Sequence, residues 1–96
     1  MPRLTWSEPA LQDVARLHEF LAPKSRDAAQ RAIKTIRQGV KALGKHPEIG
    51  HPAEELPPEF REGAIEFGQA AHIALYHYDG KQVVILAVRH GREAGY

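Results

Sequence analysis

Two apolar seams in quick succession leave this chain few ways to fold. Ala10, Val14, Leu17 and Leu21 recur at steps of four, three and four. Ala29, Ile33, Ile36, Val40 and Leu43 recur at steps of four, three, four and three. Each set lies along one face of a helix. Ser7 is placed to cap the first helix, with Glu8 and Pro9 in its first turn; Ser25 caps the second, with Asp27 following. The intervening "APKS" breaks the pattern, because the residue before Pro23 is driven out of the α region. The result is an αα-hairpin with a connection of about four residues. Gly39 inside the second helix is either tolerated or allows close approach to the first, and Gly44 is expected to end it. Neither seam can be buried by the hairpin alone, so the remainder of the chain must supply a second layer.

That remainder is β-prone. "RLTW" (Arg3 to Trp6) precedes the helices, and "GAIEF", "HIALYHY" and "QVVILAV" follow a Pro-punctuated loop, "KHPEIGHPAEELPPEF". "HIALYHY" alternates, with Ile73 and Leu75 on one face and His72, Ala74, Tyr76 and Tyr78 on the other. "QVVILAV" is apolar on both faces, which predicts a central strand covered on both sides. "DGK" between these two runs signals a tight hairpin. The expected fold is a two-layer α+β domain, β-α-α-β-β-β, with the helical hairpin on one face of a mainly antiparallel sheet. One such domain accounts for residues 1–96.

Composition narrows the function classes. Charged residues make up 26% and hydrophobic residues 43%, which argues against wholesale disorder. There is no cysteine, so disulfide scaffolds and thiolate metal sites are excluded. Six histidines are present, but His46 and His51 flank prolines and His72, His77 and His90 show no helical i,i+4 pairing, so no metal site is expected. No cofactor motif is present either. "MPRLTW" has no apolar run of the kind a secretory leader needs, and a cytoplasmic protein that avoids membranes is expected. Tyr76 and Tyr78 are expected to pack half-buried with their hydroxyls at the sheet edge.

The net charge of +1 conceals a division. Residues 24–45 hold seven bases and one acid, whereas residues 46–80 hold seven acids and one base. Lys34, Arg37, Lys41 and Lys45 form a stripe beside the second seam, suited either to solvent or to an anionic partner. The chain then closes on "AVRHGREAGY", a cluster of titratable side chains directly after the most apolar strand.

An ordered set of short signals resembles the RelE/ParE toxin superfamily of bacterial type II toxin–antitoxin systems. The set comprises the "SxxAAxxxIxxI" start of the second helix, Pro47 and Gly50, Phe60-Arg61-Glu62, Phe67-Gly68, "ALYHYDG" and "VVILAVRHGREAGY". The resemblance implies a growth-inhibiting toxin of the plasmid-stabilisation type, held in a hetero-oligomer by an antitoxin whose C-terminal segment wraps it. Two mechanisms divide the superfamily. RelE-like mRNA interferases cut mRNA on the ribosome, and on that branch His90, Arg92 and Tyr96 would supply base, cation and acid, with Arg61 as a second cation. ParE-like members poison DNA gyrase without such a set. RNA-cutting relatives carry an arginine eight residues before the tyrosine that Tyr76 matches, and Gly68 stands there. The preceding loop is acidic as well. The ParE-like branch is therefore favoured, with Lys34, Arg37, Lys41, Lys45 and Arg89 as target or partner contacts. An inactive homologue serving as a protein-binding module is the third reading.

Overall fold

The computed structural model describes residues 2–68 and 70–91. In chain order it contains β1 (Arg3–Trp6), α1 (Glu8–Leu21), α2 (Arg26–Lys45), β2 (His51–Pro52), β3 (Phe60–Phe67), β4 (Ala70–Tyr78) and β5 (Gln82–His90). The strands form one sheet in the order β1-β5-β4-β3-β2. β1 runs parallel to β5, and the other three pairings are antiparallel. The α+β architecture expected from the sequence is the one observed, with two differences in the strands. β2 was not anticipated: it is two residues long and contains a proline, which only an edge strand accommodates because it gives no ladder N–H. β5 is central, as expected, but the helices cover one face only. Ile73, Leu75 and Val84 on the other face remain half-buried, with no described helix over them.

Both helix starts follow local chemistry. Ser7 Oγ accepts the Ala10 N–H at 3.2 Å, and Ser25 Oγ accepts the Ala28 N–H at 3.1 Å. α2 does not stop at Gly44; it runs to Lys45 with His46 as its C-cap. The terminator is Pro47, which disfavours helical geometry in its predecessor. Ala22 before Pro23, against the expectation from the sequence, keeps helical geometry (φ −57°, ψ −41°) as the C-cap of α1. The β4–β5 connection is the expected tight turn. Asp79 Oδ1 accepts the N–H groups of Lys81 and Gln82 at 2.8 and 2.9 Å, which holds its carboxyl below the usual range.

The core lies between the hairpin and one sheet face. Ile36 and Val40 of α2 meet Tyr76, Val83 and Ile85, all fully buried, with Ala10, Leu43, Ile65, Ala74 and Val88 around them. Burying each of the large side chains contributes roughly 1.5–3 kcal/mol. Gly39 is a point of close approach, but to the sheet and not to α1: a Cβ there would meet Ile65 at 2.7 Å. Asp13 also departs from its sequence pattern. It lies off the apolar seam of α1, yet its carboxylate accepts the Val88 N–H at 2.8 Å while pairing with Arg16. β1 stops opposite Ile85, so the β5 backbone beyond that point needs other partners. Ser7 Oγ, which donates to Leu86 O at 3.2 Å, and Asp13 provide them.

Candidate functional site

The candidate residues occupy three separate places. The first is the loop after α2. Tyr76, expected at the sheet edge, is instead fully buried. Its hydroxyl donates to Pro47 O at 2.6 Å and accepts the Gly50 N–H at 3.1 Å. Burial pushes this phenol above its ordinary value, against opposing contributions from the Gly50 N–H and the Arg61 guanidinium. Arg61 reaches the same loop from β3. Its Nε donates to Gly50 O at 3.0 Å and its guanidinium also binds Glu48 O at 3.1 Å. Gly50 must lack a side chain, since a Cβ would lie 2.4 Å from the Tyr76 oxygen and 2.6 Å from Glu62 O. Pro47, Gly50, Arg61 and Tyr76 thus form one clamp that fixes the loop to the sheet. The spacing of Pro47 and Gly50 was visible in the sequence, but that both residues serve Tyr76 was not.

The second place is the far end of the sheet. His90 ends β5 and packs edge-on against His72 of β4, ring centres 5.4 Å apart. His72 is 4% exposed. The pair borders a pocket of about 870 Å³ between the end of α1 and the β3–β4 turn, with Leu17, Phe20, Phe67 and Val88 in its wall. Phe20 is 63% exposed and carries Lys24 over its ring at 4.1 Å. Arg89, next to His90, also borders this pocket. It approaches Glu62 at 3.8 Å, and its Nη1 donates to His90 O. Arg92 and Tyr96 lie outside the described residues.

Arg61 and His90 are not brought together. Arg61 pairs with Tyr76 and His90 with His72, four residues away along β4. That separation is roughly 13 Å along the strand, with β4 also lying between the two. Gly68 lies in the turn beyond β3, past the level of His72 and His90, and carries no side chain there. Among the described residues no group of three or more His, Asp or Glu side chains could hold a metal ion.

The third place is the exposed face of α2. Lys34, Arg37 and Lys41 line a groove of about 690 Å³ with Leu4, Trp6 and Ile33. Lys45 belongs to a different hollow, beside Pro2, His46, Ile49 and Tyr78. The stripe read from the sequence is therefore three residues in a groove and one outside it.

This fold has counterparts among known proteins. The family model for the ParE toxin of the type II toxin-antitoxin system parDE matches residues 4–95. The chain belongs to the ParE toxin family. A curated relative, Toxin RelE3 of Caulobacter vibrioides, is 29% identical over 84 residues, covering 88% of each chain. A solved chain of the chromosomal ParDE TA system from P. aeruginosa superposes with a TM-score of 0.75 at 24% identity, covering 94% of this chain and 96% of that one. The superposition establishes the shared fold. Membership of the ParE family makes this chain a toxin of a type II system and implies an antitoxin partner. No described helix is long and apolar enough to cross a membrane.

Proposed function

We propose that this ParE-family toxin arrests growth in the cytoplasm by poisoning DNA gyrase, through protein contacts and without chemistry of its own. The observation that carries this reading is the clamp. Arg61, which on the RNA-cutting reading would be a second cation for the phosphate, spends its guanidinium on the carbonyls of Glu48 and Gly50. Phosphorane stabilisation needs cations aimed at the reacting group. The separation of Arg61 from His90, the absence of a side chain at Gly68 and the acids of residues 46–80 support the same reading. On this reading Lys34, Arg37, Lys41, Lys45 and Arg89 act as contacts to target or antitoxin.

The test adds purified protein to a gyrase supercoiling assay and, separately, to translating ribosomes. The expected result is gyrase-linked DNA breakage that persists in His90→Ala and Tyr96→Phe. Specific mRNA cuts that vanish in those two variants, with supercoiling untouched, would make the protein an endoribonuclease using His90, Arg92 and Tyr96. Inactivity in both assays, from a folded protein that still binds its antitoxin, would leave a binding module.

A further inference from the structure

The outermost register pair of β4 and β5 is His72 opposite His90. On one side of it the Gly91 N–H donates to Ala71 O at 2.7 Å. On the other, the Val88 N–H turns away from β4 to Asp13. Antiparallel ladders alternate hydrogen-bonded with non-hydrogen-bonded pairs, and these two bonds place His72 and His90 in a non-hydrogen-bonded pair. At such a pair the Cα atoms approach to about 4.5 Å and the side chains stand closest. Both imidazoles therefore leave the same face of the sheet, and both border the pocket at the end of α1. Their ring centres are 5.4 Å apart. The helical i,i+4 spacing sought in the sequence misses this pair, because the two residues meet only across the sheet. The separation carries information. A zinc ion lies about 2.0–2.1 Å from an imidazole nitrogen, roughly 3.2 Å from the ring centre, so two rings at a tetrahedral angle have centres about 5.2 Å apart. At the right angle of octahedral or square-planar ions the separation falls to about 4.5 Å.

We infer that His72 and His90 form a two-imidazole site for a tetrahedral zinc ion, with water in the two remaining positions. Nitrogen ligands suit zinc, whereas magnesium and calcium call for oxygen. The surrounding charge permits a dication. Arg16 and Arg89 border the pocket, but Arg16 pairs with Asp13, and Arg89 lies 3.8 Å from Glu62. Asp13 is not a third ligand, since its two oxygens serve Arg16 and the Val88 N–H. The pocket, about 870 Å³, leaves room for the waters. Bound there, the ion ties β4 to β5 at a pair that no ladder hydrogen bond joins. The inference goes beyond the gyrase reading and does not depend on which target the toxin has.

The probe is zinc sulfate alone, titrated into the isotope-labelled chain without a histidine tag and followed by NMR of the imidazole signals. His72 and His90 are expected to shift together, while His18, His46, His51 and His77 stay in place. The melting temperature is expected to rise with zinc concentration, as mass action requires of a ligand for the folded state. His90 is half-buried at the end of β5. His90→Ala is expected to melt as the parent does without zinc and to bind zinc at least about tenfold more weakly, since even a group supporting a ligand is worth that much. His72→Phe keeps a ring in the buried position and should weaken binding likewise. Unmoved His72 and His90 signals at millimolar zinc would overturn the inference, as would zinc binding unchanged in both variants. So would equal shifts with magnesium sulfate, or shifts with sodium phosphate and none with zinc, which would make the pocket an anion site.

Discussion

At the scale of single residues, Tyr76 carries the largest responsibility. One hydroxyl ties a loop carbonyl and a loop N–H to the sheet, inside the core. Tyr76→Phe keeps the ring and strands both partners, so it should lower unfolding free energy by about 1–3 kcal/mol, measured by denaturant melts. The pH dependence has a definite sign. The folded-state pKa is raised above the unfolded value, so the stabilisation is complete below about pH 10 and is lost as pH rises through the folded value. Stability curves of parent and Tyr76→Phe should therefore converge in strong alkali, and curves that remain parallel would remove the buried phenol from the account. The sequence shows why this role is hard to read. Alternation puts Tyr76 and Tyr78 on the same face, yet Tyr76 is fully buried and Tyr78 only half so. The difference comes from a loop about 26 residues earlier, whose path no local pattern encodes.

At the scale of elements, periodicity was a good guide where one face is buried and the other wet. Ile36 and Val40 reach the centre of the core as the seam of α2 requires. Ser7 and Ser25 cap as their side-chain oxygens dictate. The pattern misleads where long-range partners decide the outcome. Asp13 sits at a polar position of α1 but serves a β5 amide, because β1 is too short to do so. Gly39 opens toward Ile65 and not toward the neighbouring helix. Gly39→Val would force that contact apart and should cost about 1–3 kcal/mol, while shortening Ile65 to Ala in the same chain should recover part of the loss. Additive losses in this double-mutant cycle would argue against the packing of α2 on β3.

At the scale of the whole molecule, residues 24–45 and 46–80 carry opposed charges beneath a net charge of +1. Association with the antitoxin should therefore be steered, its on-rate falling as ionic strength rises while its off-rate changes little, as stopped-flow mixing would record. An on-rate indifferent to salt between roughly 50 and 500 mM would remove steering from the picture. The division of charge is plain from the sequence. How it is distributed is not: Lys34, Arg37 and Lys41 share a groove because β1 lies against α2, and Lys45 falls in another hollow because the helix ends there.

The parallel pairing of β1 with β5 also sets a timetable for synthesis. Arg3 lies opposite Gln82, and Trp6 opposite Ile85, so the first strand finds its neighbour only after more than eighty residues have been translated. Until then the core lacks Val83, Ile85 and Val88. A chain still held by the ribosome short of that point has no finished sheet, and closing so long a loop is slow compared with forming the helical hairpin. A chain stopped before β5 lacks both the partner of β1 and three core residues, and is expected not to fold.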